Sequence, residues 1–270
     1  MDKQLQFSGL WAVILGGSSG FGYATVEKLA AHGMNIAVLY RETSAAAKKA
    51  IAAFTEIADR HAVFILPYNL NVLDAASRQS FINEFNTPDR QGKVKLLLHS
   101  VARGNLKPLV ARKDATDDQP LLTAEDIQMT SYAMANSLLD WTRDLLQVGL
   151  FHADARVIGL TSEGAYKYWN AYAAVGIAKA SLQSLITYMA VEFAAYGLKT
   201  NLIQAGITNT AALQKIPGSE KLVEIAGTRN PLQRMTKPGD VANVIYLLCT
   251  DEAAWINGSH IHVDGGEHCR

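Results

Sequence analysis

Trp11-Ala12-Val13-Ile14-Leu15 runs straight into Gly16-Gly17-Ser18-Ser19-Gly20-Phe21-Gly22. An apolar run of strand length, a Gly-x3-Gly-x-Gly turn, and Val26, Leu29 and Ala30 at helical spacing read as the strand, turn and helix of a first βα unit. Gly16 permits the tight turn, Gly20 lets backbone N–H groups approach a diphosphate at the helix N-terminus, and Gly22 lets the helix pack close to the strand. Ser18 and Ser19 add hydroxyl donors, and Phe21 lies in the same cradle. Gly33 is placed to end the helix in a left-handed turn.

Outward from this unit the alternation continues. Short apolar runs at 35–40, 62–67, 94–99, 156–160, 199–203 and 259–263 are separated by helical periods at 44–59, 74–86, 123–147, 171–196 and 238–250. Strands that are apolar along most of their length are covered on both faces. The order predicts an α/β fold: one doubly wound Rossmann domain over residues 1–270, with a seven-stranded parallel sheet and helices on both faces. Two connections, 103–122 and 207–234, exceed the usual loop length, so they are expected to wall a site, with 207–234 as a substrate-binding lid.

Composition narrows the function classes. Twenty-five Lys and Arg balance twenty-five Asp and Glu, which removes the global positive charge of a phosphate-backbone reader, and no nucleic-acid partner is expected. The chain is 49% hydrophobic and 19% charged, enough apolar material for a core and a subunit interface. Cys249 and Cys269 have no metal-ligand spacing and read as free thiols, with no metal site. The first residues lack the layout of a signal peptide, and the run 10–15 is too short to span a bilayer, so a soluble cytoplasmic protein without a membrane partner is expected.

The adenosine end of a dinucleotide is read at the end of the second strand. There Tyr40-Arg41-Glu42-Thr43-Ser44 places Arg41 to pair with a 2′-phosphate and Ser44 to assist, while the neighbouring Glu42 pulls towards a free ribose. NADPH is expected over NADH.

From the glycine turn to Val263-Asp264-Gly265-Gly266 the chain resembles the short-chain dehydrogenase/reductase family. The resemblance implies a nicotinamide site built from four places, which here are His99-Ser100-Val101-Ala102, Thr161-Ser162, Tyr172 with Lys179, and Ala205-Gly206-Ile207-Thr208. It also implies that Asn71 and Val72 lie near the adenine and that a homotetramer forms through the two long helices. Common members hold the tyrosine four residues before the lysine. Here that position is Val175, and Tyr172 stands seven before Lys179. Seven residues turn about 700°, some 20° short of two turns, so both side chains are expected on one helix face.

The Tyr-x6-Lys spacing, with Leu98-His99-Ser100-Val101-Ala102 and Gly176-Ile177-Ala178-Lys179-Ala180-Ser181-Leu182, resembles the enoyl-acyl carrier protein reductase branch. Within it, Tyr168-Trp169-Asn170-Ala171-Tyr172 is similar to the NADPH-dependent members with a second tyrosine four residues ahead of the catalytic one. The resemblance implies NADPH-dependent reduction of trans-2-enoyl thioesters in fatty-acid biosynthesis, on an enoyl-acyl carrier protein or enoyl-CoA. Tyr172 would hold the enolate oxygen and Lys179 the nicotinamide ribose. Tyr168 is the candidate second tyrosine, with loop packing as its other reading.

A carbonyl reductase of unusual tyrosine spacing and a non-catalytic NADPH-binding regulator are the competing functions. Lys215, Lys221, Arg229, Arg234 and Lys237 form either a dock for an acidic carrier or a solvated loop face. Ala211, Ala212, Leu213, Ile216 and Leu222 either line an acyl channel or pack in the core. His99 is expected to be a satisfied core or adenosine-side histidine.

Overall fold

β1 (Trp11–Leu15) is buried at every position, and its alternate side chains feed opposite layers. Trp11, Val13 and Leu15 join a core with Phe81, Phe85 and Trp141 on one face. Ala12 and Ile14 join Val26, Leu29 and Ile245 on the other. A strand sandwiched in this way has no solvent-facing side, which is why its sequence shows no polar alternation.

The computed structural model describes residues 6–111, 113 and 120–270. After β1 come α1 (Gly20–Ala30), β2 (Asn35–Tyr40), α2 (Ser44–His61), β3 (Ile65–Asn69), α3 (Ala75–Phe85) and β4 (Val94–His99). The second half holds α4 (Ala124–Ser131), a π turn (Tyr132–Asn136), α5 (Ser137–Gln147), β5 (Phe151–Thr161), α6 (Ala173–Glu192), β6 (Leu198–Ala205), α7 (Ser219–Arg229), α8 (Pro238–Cys249) and β7 (His260–Val263). All seven strands are parallel, in the order β3-β2-β1-β4-β5-β6-β7. The direction of winding reverses between β1 and β4, and a crevice opens there at the carboxyl ends of the strands. This is the doubly wound α/β fold that the alternation predicts.

Three boundaries differ for identifiable reasons. The strand expected at 62–67 lies at Ile65–Asn69, because α2 continues to His61 and Ala62 caps it in the left-handed region at φ 53°. The helix expected over 123–147 is interrupted by the π turn Tyr132–Asn136, which divides it into α4 and α5. The helix expected from 171 starts at Ala173, since Ala171 has φ 57°.

α6 is long and apolar enough to cross a membrane, with a mean hydropathy of 1.3. Its apolar row Leu182, Ile186 and Met189 is instead part of the core beside the sheet. Part of the long connection 103–122 lies outside the described residues.

Candidate active site

The glycine turn meets β4 at close quarters. Gly16 has φ 85°, and a Cβ there would collide with the Ser100 carbonyl; a Cβ on Gly22 would collide with the Gly16 carbonyl. Gly20, at φ 56°, faces open space with only the Thr210 methyl nearby at 3.7 Å. Ser19 is the N-cap of α1 and makes no side-chain capping bond, so the first N–H groups of the helix are presented to the crevice.

On the far side, β5 delivers Thr161 and Ser162, and a loop returns the chain to Tyr172. Tyr172 is not a helical residue: it is the N-cap of α6, at φ −99° and ψ 4°. Its hydroxyl nevertheless reaches Ser162 Oγ at 3.3 Å, in the same cleft as Lys179. A Cβ on Gly164 would collide with the Tyr172 ring, and one on Gly176 with the Gly164 carbonyl, so these two glycines allow the loop to seat the phenol. Lys179 Nζ donates to the Leu160 carbonyl at 2.7 Å. Val175, where common members carry tyrosine, is buried against Met134 and Ala178 as part of the cleft wall.

Burial sets the electrostatics. It pushes the Lys179 ammonium down to about 8 and raises the Tyr172 phenol, with the Ser162 contact opposing the latter. His99 is buried, with Nε2 2.8 Å from Ser137 Oγ, and burial with the nearby Lys179 charge lowers it to about 3. Its Nδ1 has no partner among the described residues, so the expectation of a satisfied histidine is met at only one ring nitrogen.

A stability prediction follows for His99. Between about pH 6.5 and 3 the unfolded chain binds a proton here that the native state refuses, so stability falls as pH drops through that window. The maximal slope is about 1.4 kcal/mol per pH unit. His99→Gln should therefore reduce the loss between pH 6.5 and 5 by up to about 2 kcal/mol, read from urea midpoints. Parallel losses in both proteins would contradict it.

The crevice is a cleft of about 290 Å3. Gly16, Ser19, Gly20, Phe21, Ser100, Val101, Ala102, Thr161, Ser162, Tyr172, Lys179, Gly206, Ile207 and Thr208 all line it. Six expected site residues do not. Gly22 packs behind the turn, and Ser18 donates to Glu42 Oε1 at 2.9 Å. Arg41 is exposed. Val72 is a core residue whose carbonyl accepts from Trp141 Nε1, and Asn71 Oδ1 accepts from the Leu73 N–H. Tyr168 lies in the loop ahead of α6 and is 86% exposed, outside the residues that line the cleft. Tyr166 packs the loop by bonding the Gln204 side chain.

Residues 207–234, expected as a lid, contain a short 3-10 turn (Leu213–Lys215) and α7. Ala211, Ala212, Leu213, Ile216 and Leu222 line the cleft. The basic cluster is smaller than expected, because Arg229 pairs with Glu163 and Arg234 with Asp240. Glu163, Glu267, Trp169 and Met134 also line the cleft and carry no signal in the sequence that singles them out.

The family model described as enoyl-(acyl carrier protein) reductase matches residues 16–268. The chain belongs to the short-chain dehydrogenase/reductase family, in its enoyl-acyl carrier protein reductase branch. A tropinone reductase homolog of Arabidopsis thaliana is 27% identical over 98% of this short-chain dehydrogenase/reductase and 96% of the relative. An NADH-dependent enoyl-[acyl-carrier-protein] reductase of Aquifex aeolicus is 31% identical over 66% of this chain and 63% of the relative. A Staphylococcus aureus relative named as an NADPH enzyme of the same kind is 26% identical over 74% and 75%. The solved structure of the Aquifex aeolicus enoyl-[acyl-carrier-protein] reductase (NADH) superposes with a TM-score of 0.77 at 25% identity, covering 98% of both chains.

As a member of this family the chain is an oxidoreductase. Its cleft suits a nicotinamide cofactor on three observations: the uncapped N-terminus of α1, the open face of Gly20, and the buried Thr161 hydroxyl, which has no partner among the described residues.

Proposed function

We propose that this chain reduces trans-2-enoyl thioesters in fatty-acid biosynthesis, with NADPH as the reductant. The observation that carries the reading is the phenol of Tyr172, held by Ser162 in the cleft that contains Lys179, with Val175 at the usual tyrosine position. Nicotinamide, when bound, would supply hydride to C3 and leave the excess charge on the thioester oxygen, and a proton taken up from solvent at C2 would complete the saturated thioester. Tyr172 donates to that oxygen as charge grows, which is the largest contribution open to the protein. For the phenol proton to be free, Ser162 donates to Tyr172 Oη. Lys179, anchored by Leu160, holds the nicotinamide ribose and adds positive potential. Ile216 and Leu222, above the cleft, exclude water.

The enoyl group rides on an acyl carrier protein or coenzyme A. Lys215, Lys221 and Lys237 remain exposed around the lid to meet an acidic carrier. A homotetramer through the long helices is supported by the exposed Ile177, Tyr188 and Val191 on α6 and Met129 on α4. Crotonyl and longer enoyl thioesters should drive NADPH oxidation, whereas turnover of a 3-oxoacyl thioester with no enoyl activity would reject the reading.

NADPH preference rests on Arg41, exposed and without a partner among the described residues. Arg41→Ala should raise KM for NADPH about tenfold while changing KM for NADH little, the effect of losing one charge-assisted phosphate contact. The Ser18 to Glu42 hydrogen bond favours NADH instead, since it sets a carboxylate beside the adenosine end. An equal effect of Arg41→Ala on both cofactors would support that second reading.

A further inference from the structure

Arg229, at the end of α7, sits between two acidic side chains that come from other parts of the sheet edge. Its Nη2 donates to both oxygens of Glu163, at 2.6 and 2.7 Å. Its Nη1 lies 3.8 Å from Glu267 Oε1. All three side chains are largely withdrawn from solvent, at 10%, 16% and 1% exposure for Glu163, Arg229 and Glu267. Glu267 also accepts the Ile207 N–H, at 3.2 and 3.3 Å. Glu163 is the residue after Ser162, which contacts Tyr172. One guanidinium therefore joins the lid helix, the tyrosine-bearing loop and the turn at Gly206–Thr208.

The C-terminal end of that helix is also fixed by the next residue, buried Asn230, whose Nδ2 donates to the Asp264 carbonyl at 2.6 Å. Among the described side chains of α7, Ser219, Leu222 and Ala226 are buried. Glu163 has a second cationic partner, Lys167 at 3.2 Å, but that residue belongs to the same loop and cannot hold the lid. Separating α7 from the loop would leave Glu163 and Glu267 without their shared cation, and a buried carboxylate without a partner is costly. The closed arrangement and the neutralised arrangement are thus the same arrangement.

We propose that Arg229 is a positioning residue that latches α7 over the cleft and, through Glu163 and Glu267, sets the orientation of the Ser162–Tyr172 loop and of the turn at Ile207. The substrate part of this inference rests on the enoyl-thioester reading; the part concerning the cofactor turn does not. Because the latch spans both, its loss is felt by two ligands that Arg229 does not itself touch.

The test uses full-length Arg229→Gln, Arg229→Lys, Glu163→Gln and the double variant Glu163→Gln/Arg229→Gln. For Arg229→Gln, KM for crotonyl thioester is expected to rise about tenfold with a smaller change in kcat, and the NADPH dissociation constant to rise about threefold. Arg229→Lys retains a charge and should recover part of both. The double variant should lose less than the product of the two single losses, since it removes the Glu163 carboxylate that Arg229→Gln alone would strand, leaving only Glu267 without the shared cation.

Effects on thermal stability alone, with KM and NADPH affinity as in the unaltered protein, would overturn the proposal. So would fully independent effects of Glu163→Gln and Arg229→Gln. If no enoyl thioester is turned over at all, the proposed reaction fails, and NADPH binding by the four variants still decides the latch.

Discussion

Tyr172→Phe is expected to lower kcat for a trans-2-enoyl thioester about 10²- to 10³-fold, the effect of removing one donor to a developing oxyanion. NADPH affinity should stay within about twofold, because the phenol is needed by the substrate oxygen and not by the cofactor. The substitution removes only an oxygen, and the ring keeps its seat against Gly164, so the protein should fold normally. A matching loss in NADPH affinity would show that Tyr172 works in binding. An unchanged kcat would remove it from the reaction.

Lys179 carries the second large effect. Lys179→Met deletes the cation and its bond to Leu160, and turnover and NADPH binding should both fall, with kcat/KM down about 10³-fold. The pH profile is the sharper signature. Burial lowers Lys179 to about 8, so the ammonium is charged below that pH and neutral above it. In the free protein kcat/KM should fall as pH rises through about 8. Lys179→Arg remains charged at every working pH, and this limb should move upward even if absolute activity drops. A limb that stays near pH 8 in Lys179→Arg belongs to another group.

What could be read in advance follows from the kind of signal each feature leaves. The glycine turn is legible because Gly16, Gly20 and Gly22 answer backbone requirements, a left-handed φ or an approach that no Cβ permits. β1 is legible because layers on both faces leave no place for a polar residue, and β2 and β4 because their runs 36–40 and 96–98 are apolar and buried. β3 is an edge strand whose last residue, Asn69, is exposed, and apolarity does not mark its limits.

Counting along a helix also has a limit. The seven-residue spacing brings Tyr172 and Lys179 into one cleft, yet Tyr172 precedes the helix and its position is set by the loop packed on Gly164 and Gly176. Tyr168, expected from the resemblance as a second tyrosine, lies in the same loop and is 86% exposed, a placement no periodic reading addresses. The Glu163–Arg229 pair is invisible to any periodic reading: its members are 66 positions apart, and a charge in a long connection looks solvated until the fold closes over it.

Reduction at carbon, with Tyr172 holding the oxygen, is the step on which the proposed function turns. It is tested most directly by turning over a trans-2-enoyl thioester with NADPH deuterated at the transferred position of C4, in ordinary water, and locating the label by NMR. The expected product is a saturated thioester with deuterium at C3 and none at C2. Deuterium on a carbon that bears a new hydroxyl, seen with a 3-oxoacyl thioester while the enoyl compound is returned unchanged, would contradict it.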